Sequence, residues 1–375
     1  MGSITPSSET SSGSSSISTC SCTSPHPPYP LHSSILPKLD PTYKSFYNTH
    51  LINNQVVHHQ PLHISRSSSI LLPGASDPLS VGSIFDLKIP SNDSHEIGIG
   101  NGKEGDLTNE EKGEIDVRVF IPEGEKPDGG WPLCMYFHGG GWVLGGIETE
   151  NTVCTHLCQR GDVVVVSVDY RLAPENPYPT APNDCQTALL SILTHPAHHS
   201  LPINPTLIAL SGSSAGGNIA AVLSHRFSSL FPNFRISLQL LIVPVTDNTA
   251  SPSTYPSWKE NEFSPALPAE KMMWFRNFYL PDQQKWGDVD ASPLLNDGAW
   301  EEQPRTLVVV GELDVLRDEG IAYAGLVGSA GVKCRLEVMR GMPHPFLAMD
   351  GVLKQGAQTI TYMVEELRDV FWKGK

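Results

Sequence analysis

Short apolar runs bounded by turn residues recur along the chain from Pro132 onward: PLCMYFH, VVVVSVDY, LIALSGS, LQLLIVPV, TLVVVGELD and CRLEVMRG. Most of them stay apolar at nearly every position instead of alternating, which is the pattern of strands covered on both faces. Helix-length segments separate them, and strands alternating with helices predict an α/β fold built on a mostly parallel sheet. Upstream, GSIFDLKIP from Gly82 and EIDVRVFIP mix polar and apolar positions around a Gly-, Asn- and Glu-rich stretch. That predicts two strands of a hairpin carrying a long insertion. Residues 1 to about 38 hold mostly Ser, Thr and Pro with almost no charge. Such a stretch buries too little apolar surface to offset the entropy of ordering, so a disordered tail over 1–38 is expected. Between Tyr255 and Tyr279 stand seven aromatics, where the chain-wide 8% would place about two. A helix starting near Pro268 would set Met272, Phe275 and Tyr279 along one face.

Charge narrows the partners. Lys and Arg number 25 against 40 Asp and Glu, a formal charge of −15, which disfavours general attraction to nucleic acid or anionic lipid and points to a neutral or small substrate. The first residues contain no apolar core of a signal peptide, and no stretch approaches the roughly 18 apolar residues of a membrane helix. Met1-Gly2 lacks a hydroxyl residue at position 6, where Pro6 stands, so lipidation is not expected and the cytoplasm is the expected location. Seven cysteines form no C-x-x-C pair. Cys154 and Cys158, one helical turn apart, read as small helix-face residues rather than ligands, and neither a metal nor a cofactor is expected.

The chemistry sits at the ends of predicted strands, where ligands bind in open parallel sheets. LIALSGSSAGGNIAAVL reads strand, tight turn, helix, and holds Gly212-Ser213-Ser214-Ala215-Gly216. Composition alone supplies about 0.3 such G-x-S-x-G matches per chain, so context has to decide. Here the glycines let the backbone turn sharply and leave the Ser214 hydroxyl exposed at the helix start. After PLCMYF comes His138-Gly139-Gly140-Gly141-Trp142, which chance supplies only about 0.01 times. Consecutive glycines allow backbone N–H groups to approach a developing oxyanion, a role assigned to Gly139, Gly140 and Gly141 with the Ala215 amide. His138 reads as a brace for that loop. A serine needs a base, and the base an acid to hold its tautomer. TLVVVGELD delivers Asp314 and CRLEVMRGMPH delivers His344, so the chain order is Ser214, Asp314, His344.

Together HGGGW, VDYRLAPENPYP, GSSAGGN, LDVLRDEG and the GMPH segment resemble the hormone-sensitive-lipase family of α/β-hydrolase esterases, from about Gly82 to the C-terminus. The resemblance implies an α/β-hydrolase domain over 39–375, with a small helical cap made from about 39–75 and 250–288. It also implies a Ser214–His344–Asp314 triad and a glycine oxyanion hole. Trp142, Met272, Trp274 and Phe275 become candidate walls of the substrate pocket, with core packing as the competing role for the cap residues. Two positions depart from the family pattern: Ser213 stands where relatives usually carry an acid, and Pro345 follows His344 where Gly is usual. The implied function is hydrolysis of small, fairly apolar carboxylic esters, with a small ester and at most a second copy of the chain as partners. The same resemblance covers lyases or dehydratases, thioesterases and acyltransferases, and a non-catalytic small-molecule receptor against which an intact triad weighs.

Overall fold

The structure is a computed structural model that describes residues 28–67, 73–91, 113–197, 199–231 and 233–373. Eight strands form one sheet: β1 (Ser83–Pro90), β2 (Glu114–Ile121), β3 (Trp131–Phe137), β4 (Val164–Asp169), β5 (Ile203–Ser213), β6 (Ile236–Ile242), β7 (Arg305–Gly311) and β8 (Cys334–Met339). Their order is β1-β2-β4-β3-β5-β6-β7-β8. β1 and β2 pair antiparallel, as do β2 and β4, and every later pair is parallel. The expected hairpin is therefore present, with Ser83 facing Ile121 and Pro90 facing Glu114. Its connecting residues 92–112 lie outside the described ones.

Helices cover both faces, as the uninterrupted apolar runs require. They are α1 (Pro41–Phe46), α2 (Leu62–Ser67), α3 (Asn151–Gly161), α4 (Thr180–Thr194), α5 (Ala215–Leu230), α6 (Pro256–Glu260), α7 (Ala269–Tyr279), α8 (Arg317–Ser329) and α9 (Lys354–Phe371). The two-residue period of a strand divides the sheet's side chains between two cores. Val164, Val166 and Val168 of β4 join one core with α4, α5, α7 and α8. Val165 joins the other with α3 and α9. Cys154 and Cys158 are buried free thiols on α3, inside that second core.

The first described residues depart from the expectation. Residues 1–27 of the expected tail lie outside the described ones, but 28–38 are not a tail: Ile35 is fully buried, Leu39 nearly so, and both belong to the core that holds α9. Backbone bonds run from Tyr29 N–H to Ile52 O and from Asp40 N–H to Gly341 O, at 2.8 and 3.1 Å. A few well-placed apolar side chains suffice to order a segment whose average composition is polar, each contributing about 1.5–3 kcal/mol on burial.

Before α1 the chain meets the 250–288 segment. His32 stacks on Phe263 with ring centroids 4.2 Å apart. Arg66 reaches inward as a latch, donating to Val143 O at 2.9 Å and to both carboxylate oxygens of Glu175 at 2.8 Å. The VDYRLAPENPYP stretch is thus tied down at two points, since Arg171 also pairs with buried Asp184 at 2.8 Å.

Candidate active site

β5 ends on Ser213, and the chain turns into α5 at once. Ser214 takes φ 54° and ψ −116°, a conformation L residues rarely hold. Two flanking glycines make the turn possible. A Cβ on Gly216 would lie 1.8 Å from Phe137 O, and one on Gly212 would lie 2.4 Å from Gly216. The turn is anchored by Ser214 N–H donating to Ile242 O at 2.8 Å and by Asn218 N–H donating to Ser214 O at 3.0 Å. The hydroxyl is consequently presented at the start of α5, where β5 ends.

His344 follows β8 and Asp314 follows β7, so both reach the same end of the sheet. His344 Nε2 lies 2.9 Å from Ser214 Oγ, and His344 Nδ1 lies 2.7 Å from Asp314 Oδ2. The peptide joining His344 to Pro345 is cis. Asp314 has no solvent exposure, and its other oxygen accepts from Leu316 N–H at 3.0 Å. Ser214 and His344 are 8% and 6% exposed, whereas Asp314 is sealed from solvent.

The polar residues that hold the Asp314 loop carried no signal in the sequence. Asn261 Nδ2 donates to Asp314 O at 2.9 Å, Ser257 Oγ donates to Val315 O at 2.7 Å, and Ser264 Oγ donates to Leu313 O. All three are buried and come from the aromatic-rich segment, which therefore braces the acid.

The glycine loop lies against the turn. Gly140 and Gly141 have φ +122° and +61°. Among the described residues, no acceptor engages the N–H groups of Gly140, Gly141 and Ala215, which leaves three donors for a ligand. Gly139 differs from the expectation. Its N–H donates to Glu150 Oε2 at 3.2 Å, so it is already committed and is no oxyanion donor. A Cβ on Gly139 would lie 2.7 Å from Ser213 Oγ, and that contact is the reason for its glycine. His138 is buried, stacks on Tyr170 at 4.2 Å with planes 6° apart, and is pushed down to about 4 by burial. It stays neutral and braces the loop, as expected.

Glu150 was missed altogether. It precedes α3, is buried, and its Oε1 accepts from Ser213 Oγ at 2.5 Å. The absent acid at position 213 was the one available clue: a carboxylate is present beside Ser213, supplied from another element.

Of the expected pocket walls, Trp142 is corrected. Its backbone has φ 59°, and its indole is fully buried and stacks on Tyr279 at 4.1 Å with planes 5° apart. α7 begins at Ala269 after Pro268, and the helical period sets Met272, Phe275, Arg276 and Tyr279 inward. Met272 is core, 1% exposed. Phe275 is the residue that meets the glycine loop, since a Cβ on Gly141 would fall 2.3 Å from its ring. Trp274 is half-buried and meets Phe275 edge-on at 5.1 Å.

A family model described as alpha/beta hydrolase fold matches residues 134–348. The chain belongs to that family. An AB hydrolase superfamily protein of Schizosaccharomyces pombe is 44% identical over 332 residues, 87% of this chain and 92% of that protein. An ethyl acetate hydrolase of Pseudomonas putida is 31% identical over 70% of this chain and 80% of its own length. Among solved structures, a hyperthermophilic esterase from Pyrobaculum calidifontis superposes with a TM-score of 0.76 at 29% identity, covering 88% of this hydrolase and 98% of that chain. No helix among the described residues of the hydrolase is long and apolar enough to cross a membrane.

Proposed function

We propose that the protein is a serine esterase that hydrolyses small, fairly apolar carboxylic esters through an acyl-enzyme. One observation carries the reading: an unbroken chain of contacts from Ser214 Oγ to His344 Nε2 at 2.9 Å and from His344 Nδ1 to Asp314 at 2.7 Å. Ser214 Oγ attacks the ester carbonyl while His344 takes its proton, and Asp314 holds the imidazole and then faces the imidazolium. The N–H groups of Gly140, Gly141 and Ala215 hold the negative charge that forms on the carbonyl oxygen. His344 returns its proton to the leaving alkoxide. A water, deprotonated by the same imidazole, then releases the acid and restores Ser214. The Phe275 ring against Gly141 puts an apolar surface beside these donors, which supports a preference for uncharged acyl groups. Cys134, Cys154, Cys158, Cys185 and Cys334 as free thiols accord with work in the reducing cytoplasm, which is part of the same reading.

The test is turnover of a short-chain aryl ester by the purified chain and its Ser214→Ala variant. The expected result is hydrolysis by the first, with loss of at least about a thousandfold in kcat in the second and an unchanged fold. Binding without turnover would favour a receptor, and turnover only with an added alcohol a transferase; either overturns the esterase reading.

A further inference from the structure

We propose that Glu150 is a positioning residue for this reaction: one carboxylate that clamps the glycine loop to the nucleophile turn and so sets the distance between Ser214 and the oxyanion donors. The inference rests on the Ser214 reading above. The two parts that must be held in register belong to different elements, since the donors Gly140 and Gly141 follow β3 while Ser214 follows β5. Glu150 bonds the immediate neighbour of each. Its Oε2 accepts from Gly139 N–H at 3.2 Å, one residue before Gly140. Its Oε1 accepts from Ser213 Oγ at 2.5 Å, one residue before Ser214. The two walls it joins are in contact, because a Cβ on Gly139 would fall 2.7 Å from Ser213 Oγ and 3.6 Å from Ser214 Cβ.

The placement is costly, which argues that it does something. Burial pushes the Glu150 carboxyl above its ordinary pKa, and the Ser213 and Gly139 donors work against that push. Among the described residues, no lysine or arginine pairs with it. The charge of His344, when protonated, also acts on Glu150. A purely apolar filling would satisfy the space but leave Gly139 N–H and the Ser213 hydroxyl without acceptors, and it would leave loop and turn joined by packing alone. Glu150 touches neither the ester nor the reacting atoms in this arrangement, so its effect is on alignment, where displacement by about 1 Å costs on the order of a hundredfold in rate.

The experiment compares Glu150→Gln, Glu150→Ala, Ser213→Ala and the Ser213→Ala/Glu150→Ala pair with the native chain. It measures kcat and KM for a short aryl ester, the rate of Ser214 labelling by a fluorophosphonate, and the melting temperature. Glu150→Ala is expected to lower kcat and labelling by about a hundredfold with KM within about threefold. Ser213→Ala, which cuts one of two bonds, is expected to lose less than about tenfold. Glu150→Gln, which keeps an acceptor oxygen but turns an amide toward a second donor, should fall between them. The double variant should be no worse than Glu150→Ala, because both substitutions remove the same link. If Glu150→Ala does not fold, the Gln and Ser213 variants decide by themselves. Native kcat and labelling in those two, with only the melting temperature lowered and Ser214→Ala inactive, would overturn this inference alone. Hydrolysis by Ser214→Ala equal to that of the native chain would overturn both this inference and the esterase reading.

Discussion

At φ 54° Ser214 holds a backbone conformation that costs an L residue about 1–3 kcal/mol, and a glycine there would escape most of that cost. Ser214→Gly and Ser214→Ala should therefore both lack turnover and yet differ in stability. The glycine variant is expected to be the more stable by about 1 kcal/mol in denaturant unfolding, after the entropy it adds to the unfolded chain. Equal stability would mean that the turn is unstrained. The same residue shows what a sequence displays well. Ser214, Asp314 and His344 each stand just past a run of apolar residues, so strand position and chemistry coincide in one short string. Glu150 shows the reverse: its partner Ser213 is 63 residues away, and only the fold brings the two together. Gly139 was misjudged for a related reason, since a run of glycines announces available N–H groups but not which of them another side chain has already taken.

At the scale of elements, the two roles expected of α7, pocket wall and core, are predicted to divide between neighbours. Met272 and Phe275 both belong to the sheet-side core, but Phe275 also rests on Gly141. Met272→Ala should cost about 2–5 kcal/mol of stability and leave the preference among acyl lengths unchanged. Phe275→Ala should shift relative kcat/KM among acyl lengths by about 1–3 kcal/mol, with the smallest ester least affected. Melting curves and an acyl-length series on both variants check the division, and a common response would refute it. The central strands β3 to β7 were legible because a strand buried on two faces leaves almost no polar residue in its run, whereas β1 and β2 showed as a hairpin of mixed polar and apolar positions. The segment 28–38 was not, because its anchors, Ile35 foremost, are few among Ser and Pro, and its order depends on a surface made by α9 and the His344 loop. Trp142 was misplaced because its ring packs on Tyr279 of α7, a contact that only the fold creates.

For the molecule as a whole, buried ionisable groups shape the response to pH. Burial pushes His138 and His225 down to about 4 from an ordinary 6.5, and pushes Glu319 up to about 8 from 4.5. Between pH 6.5 and 4 the unfolded chain binds protons that the folded imidazoles refuse, so stability falls as pH drops through that window. Between pH 4.5 and 8 the folded Glu319 keeps a proton that the unfolded chain gives up, so its contribution is lost as pH rises. The imidazoles, His58 among them, pull stability down toward acid, and Glu319, joined by Glu150, pulls it down toward alkali, so stability peaks between about pH 5 and 8. Melting temperatures measured from pH 4 to 9 should trace that dome. Glu319→Gln should flatten its alkaline side, and an unchanged alkaline slope in that variant would remove Glu319 from the account. The bond between Ser214 and His344 spans 130 positions, and the loop that carries His344 is gripped by Asp40 N–H on Gly341 O. A growing chain can thus form β3, β5 and α5, with helices and a glycine loop already in place, and still be chemically silent. The base arrives with the last strand, and a segment made near the start of synthesis must swing back to seat it. Ester turnover on such a chain is a stricter measure of completed assembly than helix content or compactness, because it registers only when early and late residues have met.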